Sequence, residues 1–554
     1  MNKKVCSFPI LFALLALLIG TCAVVFPASA QAAPTSTGSI TVSGTVASSY
    51  DAYQIFSANV VDGDSDAKIA TDLAWASDAV RDAALPVLHS AGMPNSQTTA
   101  QEAAEWLNSD SHLTSALSAQ LARSLQSSGA ELVALNAGTT AELPCGYWLI
   151  VADDDAISQN EAGTAPVMVL VGGSAVTVKP KAATPKVAKH VLEDSTAAWG
   201  KAADATVADD LYWRLSATVP AGLTAYDTYA VQFVDTMSAG LDPSKVAASM
   251  RVYVAAGADG GFDAVSTGKD GRAGTDPAKG WTDITAQCGV SVDGKTFTVR
   301  TGDLIAALGG ADAFTAGARV VAVYNAPLNS ACNHGIAKGN PNEVYLRYPR
   351  SPFADQSGDA GFTHTPSDDA CAYTWDLALT KRGSDGDKPL AGAVLSITDD
   401  RGRTLSADGT WDAEGKATVT TGEDGRVTVS GVDSGKLEVR ELKAPKGYTA
   451  FEGTRSVTVK AEGLDVDQVA AAKPKLTITA ESPLRADSAD GSTGSLEASL
   501  INTPTGTPPS ITTGGFMPST GDMAMYAAAA AAVAGAALIV VALLVKRGGG
   551  SHKE

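Results

Sequence analysis

The stretch Trp375-Asp376-Leu377-Ala378-Leu379-Thr380-Lys381 decides how the chain is read. Residues two apart share a face of a strand, so the face of Trp375, Leu377 and Leu379 also carries Lys381. In Leu437-Glu438-Val439-Arg440-Glu441 the apolar face of Leu437 and Val439 carries Glu441. Over residues 496–502 the face of Leu496, Ala498 and Leu500 carries Asn502. A lysine, an acid and an amide thus each end a strand on its apolar side. Unpaired buried charge is very costly, so the three should meet. Burial lowers a lysine pKa and raises that of a carboxylic acid. The neutral amine is then a nucleophile, and a protonated acid polarises the amide carbonyl. Attack expels ammonia and leaves a Lys–Asn isopeptide bond.

The same parity count applies further upstream. Val187, Lys189 and Val191 share a face, as do Val231, Phe233 and Asp235, and as do Asn342, Val344, Leu346 and Tyr348. Lys189, Asp235 and Asn342 form a second candidate trio, with Asp in place of Glu. Asn340 has the same parity as Asn342 and competes with it, and Lys186 competes with Lys189 from the outward face. From residue 31 to 178 the single lysine is Lys68, outside any opening strand, so no such bond is expected there.

Working outward, short alternating runs separated by Gly, Asp, Asn and Pro predict strands at 40–46, 148–151, 167–178, 295–300, 319–324, 375–380 and 426–429. The fold class is mainly β, as tandem Ig-like sandwiches. One insertion differs: over 98–125, Trp106, Leu107, Leu113, Leu117 and Leu121 have helical spacing, predicting helices laid on the first β domain. Residues 257–280 read as a long Gly- and Asp-rich loop. The 554 residues fit about three domains of ordinary size. With 41 basic against 60 acidic residues, no broad phosphate-neutralising surface exists and no nucleic-acid partner is expected. The acidic loop 62–66 lacks the ordered spacing of a calcium loop, and no metal or cofactor is expected. There is no His-Glu-x-x-His, Gly-x-Ser-x-Gly or phosphate-cradling loop, so the chain does not read as a turnover enzyme.

The ends carry an address. Lys3 and Lys4, an apolar run over 10–19 and Ala28-Ser29-Ala30 read as a secretory signal covering 1–30. Residues 523–545 are apolar and long enough to span a bilayer once, and Lys546 and Arg547 follow at once. Just before this expected membrane helix stands Met517-Pro518-Ser519-Thr520-Gly521. Pentapeptide, span and basic tail over 517–554 resemble the LPxTG cell-wall sorting signal of Gram-positive bacteria, with Met for the usual Leu. The resemblance implies cleavage between Thr520 and Gly521, with the Thr520 acyl group passed through a sortase cysteine to an amine.

Pro389-Leu390-Ala391-Gly392-Ala393, the segment Glu441-Leu442-Lys443-Ala444-Pro445-Lys446-Gly447-Tyr448 and Asn502-Thr503-Pro504 resemble the Cna B-type domain, expected over 370–504. By that resemblance Lys381 and Asn502 form the bond and Glu441 promotes it. Residues 233–241, 324–329 and 342–348 resemble the fimbrial isopeptide-forming D2 domain, expected over 184–355, which implies a Lys189–Asn342 bond promoted by Asp235. Segments 38–42, 53–56 and 144–148 resemble major-pilin N-terminal domains, expected over 34–180. Val176-Thr177-Val178-Lys179-Pro180-Lys181 resembles the pilin motif whose last lysine accepts the acyl group of the next subunit. This implies Lys181 as acceptor, with Lys179 as the alternative, and residues 505–516 form a stalk. Together these motifs resemble the sortase-assembled major (backbone) pilins, fimbrial shaft subunits of the SpaA/FimA type. The implied partners are pilus-specific and housekeeping sortases, identical subunits head to tail, tip or base pilins, and peptidoglycan. The implied location is the cell wall and extracellular pilus. A monomeric wall-anchored adhesin shares every feature except the need for Lys181. The mature region keeps Cys145, Cys288, Cys332 and Cys371, which allow three pairings. Cys288 and Cys332 share a domain and are the expected disulfide, and Cys145 stands alone in its region.

Overall fold

The computed structural model describes residues 36–506 except 65–66, 110, 164, 181–183, 222 and 258–279. The chain is mainly β, with several sheets and few helices among the described residues. The signal segment, the stalk beyond 506, the sorting signal with Thr520, and Lys181 lie outside the described residues. Among those described, no helix is long and apolar enough to cross a membrane.

The N-terminal unit is layered. Strand Gly146–Ala152 lies between Ser49–Asp62 and Val167–Val171. Its residues alternate between two cores: Leu149 and Val151 face helical residues such as Val80, Leu88, Leu121 and Leu125. Trp148 and Ile150 face Ile40, Val42 and Val178 of a small second sheet. The period of two therefore buries both faces of this strand. Helices Ala100–Asn108 and Ser115–Ser128 occupy the expected helical stretch. Thr99 and Glu102 close a reciprocal capping box at the first, and Gly129 in the left-handed region (φ 72°) ends the second. A third helix, Asp78–Ser90, was not expected from sequence; it contains Pro86, a residue that normally interrupts a helix. The run 167–178, read as one strand, is two: Val167–Val171 and Val176–Val178. Gly172 and Gly173 between them have positive φ.

Gly146 has φ +141°, and a Cβ there would lie 2.0 Å from the Phe56 carbonyl oxygen. Gly146→Ala is expected to destabilise this unit by about 3 kcal/mol, read as a lowered denaturation midpoint with the other units unchanged.

The middle unit is a sandwich. One sheet runs Ala198–Gly200, Val187–Glu193, Tyr212–Thr218, Arg319–Asn325, Arg251–Ala255, Trp281–Asp283. The facing sheet includes Gln232–Met237, Thr296–Arg300 and Asn340–Pro349. Their inner faces share one core containing Trp213, Leu215, Phe233, Phe297, Val299, Val344 and Leu346. The unit runs further than residue 355. Phe362–His364 and Asp368–Tyr373 both pair with Asn340–Pro349, and Asp368–Tyr373 also pairs in parallel with Ala202–Asp204. Ala370 and Ala372 face the middle core, whereas Cys371 and Tyr373 face the C-terminal one. This strand is a shared wall, and the boundary expected at 370 falls within it. The C-terminal unit follows with Trp375–Gly383 beside Ser495–Pro504 in parallel, facing a sheet built on Val394–Thr398, Gly435–Lys443 and Thr454–Glu462.

Candidate functional site

The apolar strand faces carry three polar side chains into the C-terminal core. Lys381 is 0 %, Asn502 2 % and Glu441 6 % exposed. Lys381 and Asn502 stand on neighbouring parallel strands of one sheet, where Lys381 registers with Leu500 and Gly383 with Asn502. Glu441 reaches them from the opposite sheet. Lys381 Nζ donates to Asn502 Oδ1 and lies 3.0 Å from Glu441 Oε1. Asn502 Nδ2 donates to the same Oε1 at 2.9 Å. The other carboxylate oxygen, Oε2, accepts from the Phe451 backbone N–H at 3.1 Å. The amine sits 5.9 Å from the Phe451 ring centroid. Burial pushes the Lys381 amine down to about 8, against the opposing pull of Glu441.

In the middle unit Lys189, Asp235 and Asn342 are all fully buried. Lys189 comes from one sheet; Asp235 and Asn342 come from adjacent antiparallel strands of the other. Lys189 Nζ donates to Asp235 Oδ2 and to Tyr324 Oη at 2.9 Å. The Tyr324 hydroxyl donates to Asp235 Oδ2 at 3.0 Å, and Asn342 Nδ2 donates to Tyr324 Oη at 2.8 Å. Trp213 and Tyr324 line the amine, with ring centroids at 5.5 and 5.4 Å. Burial pushes Lys189 down to about 8 and raises Asp235 despite the lysine beside it. Asp235 Oδ1 and Asn342 Oδ1 are buried without a hydrogen-bond partner among the described residues.

The competing residues are engaged elsewhere. Asn340 accepts from the Asn333 N–H and donates to the Asn333 and Ala372 carbonyls. Lys186 and Lys179 are exposed. Lys68 holds the carbonyls of Gly172 and Ser174 and lies 3.6 Å from Asp62. Cys145, Cys288, Cys332 and Cys371 are free thiols, so the Cys288–Cys332 disulfide expected from sequence is not formed. Cys288 Sγ contacts the Ile284 carbonyl, while Cys332 Sγ faces His334. A shared domain does not imply a shared neighbourhood. Two residues near Lys189 escaped the parity reading. Tyr324 bridges the trio, and the buried Lys201 binds the Lys189 carbonyl and Asp368.

Residues 376–473 match the family model of the SpaA prealbumin-like fold domain. The trypsin-resistant surface T6 protein of Streptococcus pyogenes serotype M6 is 30% identical over 143 residues, 24% of this chain and 24% of that protein. The chain is similar to Gram-positive backbone pilins. It spans about a quarter of the length of this curated relative. Among solved structures, the T6 backbone pilin of serotype M6 Streptococcus pyogenes aligns with a TM-score of 0.46 at 16% identity, covering 86% of this chain and 100% of that one. The full-length major pilin SpaD of Corynebacterium diphtheriae aligns with a TM-score of 0.42 at 15% identity, covering 87% and 100%. The family-model segment contains Lys381 and Glu441 and stops before Asn502.

Proposed function

We propose that this chain is the structural shaft subunit of a cell-surface pilus, polymerised covalently and hardened by internal isopeptide bonds. The observation that carries this reading is the pair of buried amine–carboxyl–amide clusters, each in its own β-sandwich. Two charged groups in a core are poorly stabilising as an ion pair. They make chemical sense as reactants. In the C-terminal unit, proton transfer from Lys381 to Glu441 leaves a neutral amine beside the Asn502 amide. Attack on Cγ, followed by departure of ammonia, yields a Lys381–Asn502 bond. Lys189, Asp235 and Asn342 undergo the same reaction in the middle unit. These are single intramolecular events, so the chain is not a turnover enzyme. In this reading the middle unit is a D2-type and the C-terminal unit a Cna B-type Ig-like domain.

Assembly rests on the sequence motifs at the two junctions. A sortase cleaves after Thr520 and transfers its acyl group to Lys181 of the next subunit. The housekeeping enzyme finally joins the fibre to peptidoglycan. Supporting this reading, exposed Lys179 follows strand Val176–Val178 directly, a position open to an enzyme. Detergent gels of surface extracts are expected to show a high-mass ladder that vanishes in Lys181→Ala. A single band from wild-type cells overturns the pilus in favour of a monomeric wall-anchored adhesin.

A further inference from the structure

The two clusters differ in reach. In the C-terminal unit one oxygen, Glu441 Oε1, serves both reactants directly, at 3.0 Å from Lys381 Nζ and 2.9 Å from Asn502 Nδ2. In the middle unit the acid is an aspartate, one methylene shorter. Asp235 bonds to Lys189, but the amide nitrogen of Asn342 donates to Tyr324 Oη instead. That hydroxyl lies within hydrogen-bond distance of all three partners: 2.9 Å from Lys189 Nζ, 3.0 Å from Asp235 Oδ2 and 2.8 Å from Asn342 Nδ2. It is held there firmly. Tyr324 is fully buried, its strand pairs with Tyr212–Thr218 on one side and Arg251–Ala255 on the other, and its ring packs edge-on against Phe297 at 4.7 Å.

We propose that Tyr324 is a catalytic residue of the middle unit's cross-linking reaction, relaying a proton between Asp235 and the leaving nitrogen of Asn342. The inference rests on the isopeptide reading above. The neutral amine of Lys189 attacks Cγ of Asn342, forming the new C–N bond, and the carbonyl π electrons move to Oδ1. Tyr324 passes its proton to the amide nitrogen and takes one back from Asp235, which holds the proton received from the lysine. Asp235, now a carboxylate, then accepts a proton from the attacking nitrogen. The old C–N bond then breaks, its electron pair leaves with nitrogen as ammonia, and the carbonyl re-forms. Asp235 and Tyr324 end in their starting states, and no oxidant or co-reactant is needed. Burial raises the Tyr324 phenol well above its usual range, which keeps the proton on the hydroxyl. The C-terminal unit needs no such relay, because the longer Glu441 spans the gap alone.

The test uses the secreted ectodomain, residues 31–520. Intact mass counts ammonia lost, and tryptic peptide mapping follows the 189–342 and 381–502 cross-links over time. Tyr324→Phe keeps the ring and removes only the hydroxyl. It is expected to slow the 189–342 bond at least ~100-fold, the ordinary size of a proton-transfer contribution, while the 381–502 bond forms at the wild-type rate. Adding Asp235→Glu to Tyr324→Phe should restore the middle bond, because the longer acid reaches the amide without the hydroxyl. Tyr324→Phe cross-linking at the wild-type rate overturns the relay. So does a loss that Asp235→Glu does not restore, which marks the hydroxyl as merely structural. Absence of the 189–342 bond from wild-type protein instead overturns the underlying isopeptide reading.

Discussion

The ectodomain is expected to weigh less than its sequence by two molecules of ammonia, with Lys189→Ala and Lys381→Ala each forfeiting one of those losses. Glu441→Ala should also forfeit one, although both reacting side chains remain, because the carboxyl that contacts amine and amide is gone. The stability effect is large. The Lys381–Asn502 bond would close a loop with a sequence separation of 121. On the chain-entropy model for cross-links this stabilises by about 5 kcal/mol. Lys381→Ala also removes a fully buried side chain from the core, so the loss is not smaller than that figure. For a unit of this size the melting temperature should fall by about 15 °C. The two bonds lie in separate cores, so their effects on stability should add. A wild-type ectodomain of full theoretical mass would remove both bonds at once, and the melting data would then report ordinary buried ion pairs.

The burial of the clustered lysine, acid and amide side chains was legible because a strand has a period of two. A one-residue slip turns every side chain to the other face, so a charged residue in register with Leu377 and Leu379 has nowhere to go but inward. That argument works where one face is apolar and the other polar. It fails where both faces are buried. Along Arg319–Asn325 every residue after Arg319 is buried, so parity carries no information and Tyr324 reads as core. The remaining signal was chemical: a buried tyrosine hydroxyl needs a partner. Strand Asp368–Tyr373 was illegible for a related reason, since it divides its side chains between two cores. Helix Asp78–Ser90 carries Val80, Ala83, Ala84 and Leu88 on one face, but Pro86 breaks the expected pattern. Thiol pairing depends on which strands neighbour one another, which spacing along the chain does not encode.

The joint between the middle and C-terminal units should loosen as pH rises through neutrality. Asp204 of the middle unit is almost fully buried. Its Oδ2 accepts from Trp375 Nε1 at 2.6 Å and from the Ser434 N–H at 3.0 Å, both in the C-terminal unit. Its Oδ1 has no donor among the described residues, and Asp433 faces it from across the joint. Glu193 accepts the Asp204 N–H at 3.1 Å. The nearby cations are committed elsewhere: Arg401 pairs with Asp194 and Asp209, and Arg403 with Asp209 and Asp399. Burial, reinforced by Asp204, raises Glu193 to about 7 and Asp433 well above the usual carboxylate range. An acid raised in the folded state binds more protons there than when unfolded. Its stabilisation is therefore complete below the unfolded value near 4.5 and is lost as pH passes 7. Calorimetry between pH 5 and 8 should show the transition of these two units falling by several degrees, and Glu193→Gln should flatten that slope. In the cross-linked form proposed above the two core lysines do not interfere, because an acylated amine no longer titrates in this range. General repulsion in a chain of net charge −19 also grows with pH, but it would survive the substitution. An unchanged slope in Glu193→Gln would therefore assign the effect to repulsion and leave the Glu193 contribution without support.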